Sequence, residues 1–348
     1  MPGLPVYNHP PLAGWMLLGM DELTELGIPF GTLIRSPASI ADFFCALLVF
    51  EIVRRRGSLG TAAACGAGVA LSPVLIATSG YHGNTDAAAI TFALAAAHLL
   101  VDRKSPLAAG ICAALSISIK FIPVVVIPAL FLVALRSGRP ALIRFTAGFT
   151  ALAALLWVPV LVTVPQHLRE NVLEYAGGGY RLWGLVRFAD VLGLPQSSIT
   201  FIQGDGHFLF VLACVAAGVW LARLRPGQLP GVVAVTMCLL LLLSTASALQ
   251  YLTWAAAGLF VIGFWEGAAY SCLLGLTAVL GYQGRSAVHW SDTVLHFGEA
   301  GWFVLAAALV SAIRKILAAP PAVPPQPSAE RSPAPAPCAS QSTGSAVN

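Results

Sequence analysis

Three polar residues, His82, Asn84 and Asp86, fall within the stretch SGYHGNTDAAA at residues 79–89, between two apolar runs. Ionisable groups beside apolar runs are expensive, so such a cluster is a candidate site. A carboxylate such as Asp86 orients a hydroxyl or a metal, and an imidazole such as His82 reaches a phosphate oxygen. The competing reading is a polar turn, with Asn84 or Thr85 capping the next helix and Asp86 complementing its dipole. Lys120, in SISIKFIPVVVIPAL, poses the same choice. It either snorkels to the interface or, beside the breaks signalled by Pro123 and Pro128, binds an anionic headgroup.

Other polar residues flank the apolar runs. Tyr7, Asn8 and His9 precede two prolines in VYNHPPLAGW, which favour an extended approach and then a helix start. Gln250, Tyr251 and Trp254 lie in ALQYLTW, where the tryptophan reads as part of an interfacial aromatic belt. Arg169 and Arg181 are cations available for phosphate. Asp21 and Glu22, in GMDELTELGIPF, are weaker carboxylate candidates, since this stretch also reads as an exposed amphipathic turn. His289, Asp292 and His296 have a spacing that a metal ion would accept, but surface histidines are common.

The elements that position these residues are set by composition. The 348-residue chain is 57% hydrophobic and 10% charged, with a mean hydropathy of +0.81. A soluble domain carries about 25% charged residues, so this chain belongs in a bilayer. Seven cysteines form no CxxC pair, which argues against a zinc or disulfide framework. The basic residues are scattered between apolar runs, which argues against nucleic acid as a partner.

Eleven apolar segments read as spans: roughly 37–53, 60–79, 86–101, 105–120, 121–135, 143–163, 207–222, 229–249, 252–265, 268–283 and 297–313. The predicted fold class is an all-α polytopic transmembrane bundle. The pairs 105–120/121–135 and 252–265/268–283 read as broken or re-entrant helices. Asp42, Glu51 and Glu266 are assigned to span ends. Twelve Lys and Arg residues fall in alternate connections: Arg54–Arg56, Arg103–Lys104, Arg136, Arg139, Arg144, Arg223, Arg225 and Arg314–Lys315. That side is expected to be cytoplasmic, in the inner (plasma) membrane. Most carboxylates, and the polar cluster, then lie on the other side.

Residues 1–36 read as an external N-terminal segment, 37–318 as the transmembrane domain and 319–348 as a disordered Pro/Ala/Ser-rich cytoplasmic tail. The external loop 164–206 contains Leu168, Val172, Leu173 and Tyr175, which suggest an interfacial helix.

YNHPPL, SGYHGNTD, IKFIPVVVIPAL, NVLEYAGGGYRLWG and QYLTW, in this order, resemble bacterial integral-membrane glycosyltransferases of the GT-C type that use polyprenyl-phosphate sugars. The resemblance covers roughly residues 6–255 and is specific as an ordered set. It implies sugar transfer from a lipid-phosphate donor on the non-cytoplasmic face, with membrane lipids and the lipid-linked sugar as partners. A divalent metal cofactor is left open. On this resemblance, His82, Asn84, Lys120, Arg181, His9, Tyr175 and Gln250 are candidates for the donor phosphate. Asp86, then Glu22 and Asp21, are the candidates for base or acceptor orientation. Such families place a catalytic acidic residue in the first external loop, ahead of Tyr-x-His-Pro-Pro. Here that motif begins at Tyr7 with nothing acidic before it. The expectation is therefore that an upstream helix and its acidic loop are missing from this chain. The rival readings are a transporter or lipid flippase, and a catalytically inactive truncated homologue.

Overall fold

A computed structural model describes residues 9–173, 182–283 and 290–319. Among the described residues the chain is helical and contains no strand. Helix α1 (Pro11–Glu25) starts with proline at its first position after an extended Pro10, as the double proline predicts. Helix α2 (Phe30–Arg54) is followed by α3 (Leu59–Ala70), which Ser58 caps through the Thr61 amide. The short α4 (Pro73–Leu75) leads into a π-helical turn, Ile76–Tyr81, and then α5 (Asp86–Val101). Helix α6 (Pro106–Ile119) stops at Lys120. A 3-10 turn (Ile122–Val126) continues into α7 (Ile127–Arg136) and then α8 (Arg139–Thr163).

The connection that follows carries α9 (Pro165–Leu168), a second π-helical turn (Arg169–Leu173), α10 (Leu185–Val191) and α11 (Gln196–Gln203). The remaining helices are α12 (Gly206–Leu224), α13 (Leu229–Leu242), α14 (Thr253–Ile262), α15 (Phe264–Gly281) and α16 (Asp292–Ala318). Six helical stretches are long and apolar enough to cross a membrane, and five shorter apolar helices accompany them. Together these correspond to the eleven sequence segments.

Burial sorts the helices into shells. Helix α5 is apolar on every side and packs against α2, α6, α13 and α14, so it forms the centre. Helix α8 buries only 11% of its apolar window and faces outward. Helices α6 and α8 cross closely at Gly110 and Gly148, each set against the other helix's backbone.

Three sequence expectations need correction. Helix α2 begins at Phe30 and runs through Pro37, so Asp42 sits mid-helix rather than at a span end. Helix α13 ends at Leu242 instead of near 249. Beyond it Ser244 bonds within its own turn and Ser247 bonds Trp183, so hydroxyls replace helical partners. Trp254 is not an interfacial belt residue; it is 4% exposed, inside the bundle. Of the two readings left open for Lys120, outward snorkelling is not the one observed: the buried carboxylate of Asp86 holds the ammonium.

At one end of the bundle the predicted basic connections meet. Arg56 makes a two-pronged bond to Asp102 at 2.9 and 3.0 Å, and Asp102 also bonds His98. Glu51 pairs with Arg54, Arg55 and Arg103, and Glu266 with Lys315. Asp86, at the opposite terminus of α5, marks the other end.

Candidate active site

Residues 79–89 form two structures joined by a sharp bend. Gly83 takes a φ of +79°, a conformation that costs an L-residue steric strain, and it separates the π-helical turn from α5. That bend prevents His82 and Asp86 from sharing a helical face. It also lets the Asn84 side-chain oxygen accept the Asp86 amide at 2.8 Å, closing the N-terminus of α5. Asn84 thus forms an Asx turn leading into α5, one residue ahead of the N-cap position held by Thr85, and this turn coexists with a polar site.

Asp86 is 1% exposed in the first turn of α5, where the helix dipole favours its negative charge. Two groups from distant parts of the chain engage it. The Trp254 indole N–H donates to Oδ2 at 2.7 Å, and the Lys120 Nζ lies 3.3 Å from Oδ1. Lys120 arrives there because α6 ends at Ile119 and the lysine backbone is extended, with φ −144° and ψ 134°. The chain break that Pro123 signals thus delivers a cation to the terminus of a neighbouring helix.

Around this pair the polar residues gather. One cavity of about 240 Å³ is lined by His9, His82, Asn84, Lys120 and Gln250, with Met16 and Ile34 from α1 and α2. A second, of about 220 Å³, has His9, Lys120 and Gln250 on one side and Ile122, Val172, Leu173, His207 and Tyr251 on the others. A wide groove of about 940 Å³ between α1 and α8–α9 is mostly apolar, lined by Trp15, Leu18, Val160 and Leu168, with His9, Asp21, His167 and Asn171 as polar members. His9 lines all three spaces.

His9 is half-buried, and its pKa is pushed down to about 4, first by burial and then by the Lys120 charge, against a smaller opposing effect of Asp86. Its imidazole is neutral at pH 7. His82 stacks on Tyr282 with ring centres 5.3 Å apart. Burial and the nearby Asp86 charge push the Tyr282 phenol well above its ordinary value.

The sequence candidates divide as follows. His9, His82, Asn84, Asp86, Lys120 and Gln250 come together. Asp21 and Glu22 are exposed on α1, with Asp21 on the wide groove. His296 bonds Glu299 on α16, away from these cavities. Among the described residues, no three His, Cys, Asp or Glu side chains are close enough to share a metal ion. Tyr7, Asn8, Tyr175, Arg181 and His289 lie outside the described residues. Sequence reasoning missed His207 and Tyr282, each a lone aromatic or imidazole at the end of an apolar run, in QGDGHF and GYQGR, with no motif around it. It also assigned Trp254 to the wrong environment. No sequence signal separated the two environments, because the buried indole N–H finds its acceptor only through the fold.

No curated protein matches the chain. Residues 8–164, which run from the segment before α1 to the end of α8 and include His9, Asp86 and Lys120, match the family described as dolichyl-phosphate-mannose-protein mannosyltransferase. This match supports the chain's likeness to the GT-C-type integral-membrane glycosyltransferases.

Proposed function

We propose that this protein transfers a sugar from a polyprenyl-phosphate donor to an acceptor at the non-cytoplasmic face of the membrane. The observation that carries the proposal is Lys120, fixed by buried Asp86 and lining two cavities that His9 joins to a large apolar groove. A lipid phosphate needs that combination: a cation for the headgroup and an apolar channel for the chain. The sidedness rests on the arginine-rich opposite end of the bundle.

In this reading the acceptor hydroxyl attacks the anomeric carbon and the bond from that carbon to the phosphate oxygen breaks. The electron pair leaves with the lipid phosphate, whose charge Lys120 stabilises. Asn84, Gln250 and His82 border the same space, and Arg181 and Tyr175 are assigned to the donor by their loop position. Asp86 acts as a positioning residue, because its oxygens face Lys120 and Trp254. The hydroxyl proton goes to Asp21, with Glu22 beside it, or to the neutral imidazole of His9. Purified full-length protein in vesicles, given radiolabelled polyprenyl-phosphate sugars, is expected to transfer label to an acceptor. Lys120→Ala should lower the rate by orders of magnitude. Equal rates in wild type and Lys120→Ala would overturn the assignment, and no transfer from any donor would favour an inactive homologue.

One observation favours a second reading. Asp42 lies in the middle of α2 beside Ser79, a deep polar position of the kind a transporter uses. Lipid-phosphate translocation across vesicles that depends on Asp42, without sugar transfer, would establish it.

A further inference from the structure

The reading above provides for the phosphate and the lipid chain and leaves the sugar without a seat. A fourth cavity, of about 150 Å³, adjoins the Lys120 cavity and shares Ile122, His207 and Tyr251 with it. The rings of Tyr251 and Trp254 are stacked on one side of it, with centres 4.5 Å apart and planes inclined by 28°. Ser244 and Thr245, from the turn after α13, and His207, at the start of α12, line it as polar members.

We infer that this cavity seats the pyranose ring of the lipid-linked sugar, an assignment that rests on the proposed transferase reading. Three features support it. A cavity of roughly 150 Å³ is the size that admits one six-membered ring, whereas a polyprenyl chain needs the far larger groove. Aromatic faces carry negative charge density, which attracts the polarised C–H groups of a sugar face. The rim supplies hydroxyl-binding groups in addition to the aromatic pair. The His207 Nδ1 lies 3.2 Å from the Gly204 carbonyl, so Nδ1 donates there and Nε2 is left to hydrogen-bond a sugar hydroxyl.

The link to chemistry is Asp86. One carboxylate bonds the Trp254 indole and faces the Lys120 ammonium, at 2.7 and 3.3 Å. The aromatic wall and the phosphate-binding cation are therefore fixed to the same buried group. A sugar on that wall and its phosphate at Lys120 would be held in one relative orientation, with the anomeric carbon between them.

The test separates sugar recognition from phosphate recognition. Purified full-length protein in nanodiscs is titrated with a short prenyl phosphate and with the same prenyl phosphate carrying mannose, glucose or arabinose. Wild type should bind at least one glycosylated probe about tenfold more tightly than the bare one. Thr245→Val and Tyr251→Leu should bring that ratio towards one, Tyr251→Phe should keep most of it, and Lys120→Ala should weaken bare and glycosylated probes alike. An unchanged ratio in both Thr245→Val and Tyr251→Leu would overturn the inference. Tight binding of the bare probe with no gain from any sugar would overturn it while sparing the phosphate site. Binding of none of the probes by wild type would overturn both.

Discussion

Removing either member of the Asp86–Lys120 pair should cost stability and function together, and removing both should separate them. At 3.3 Å, with an effective dielectric constant of about 20, the attraction is about 5 kcal/mol before desolvation. Asp86 is 1% exposed and the Lys120 side chain 15%, so solvent screening is slight. Desolvation offsets most of the attraction, and the net value of the intact pair is small. Breaking such a pair is different, because the surviving charge stays buried without compensation, at about 3–5 kcal/mol. Lys120→Met should therefore lower thermal stability in detergent, and Asp86→Asn should do so less, since an amide oxygen still accepts the indole N–H. The double variant Asp86→Asn/Lys120→Met should recover most of the lost stability. Transfer activity should remain lost in all three, and prenyl-phosphate binding should be weakened in the two variants that lack Lys120. Thermal unfolding and a transfer assay on the same four preparations close this double-mutant cycle. A double variant no more stable than the worse single would refute the buried-pair argument. Recovered activity in the double variant would refute a phosphate role for Lys120.

Further perturbations test the surrounding structure. His9 titrates near 6.5 when unfolded and at about 4 when folded, so the unfolded state binds more protons between those values. Stability should fall as pH drops from about 6.5 to about 4, by up to about 3 kcal/mol before screening of the half-buried ring is discounted; His9→Gln should flatten this dependence, and an unchanged pH profile would contradict it. Gly110→Ala should cost about 1–3 kcal/mol, because a new methyl would overlap the Phe145 carbonyl on α8 and neither backbone gives way locally; a wild-type melting temperature would argue against the close α6–α8 crossing. In a background without native cysteines, His82→Cys should react with a membrane-impermeant thiol reagent from one side and Arg103→Cys from the other. Labelling of both from the same side would sink the two-ended topology.

Much of the architecture was legible because a bilayer imposes a strong rule on composition. A chain with 10% charged residues and eleven apolar runs has few options beyond a helical bundle. Arginines in alternate connections indicated which loops share an end, and the structure brings Arg56 to Asp102 and Lys315 to Glu266 there. The double proline at the start of α1 announced a helix start, since its effect is local. His82, Asn84, Asp86 and Lys120 could be singled out as residues too polar for their neighbourhood.

The partners of those residues were decided by tertiary structure. Asp86 and Trp254 are separated by 168 positions, and no periodicity links them; only the packing of α14 against α5 does. The sequence left Trp254 as a belt residue because an indole's preference for an interface and its need for a buried acceptor look identical in one dimension. Asp42 was placed near a helix end because the apolar run reads as beginning at 37, while the folded chain starts α2 at Phe30 and carries it through Pro37. Whether Lys120 snorkels or pairs depended on where α6 ends relative to the first turn of α5. A charge settles where its desolvation is compensated, and that compensation comes from groups that only the fold brings within 3.3 Å.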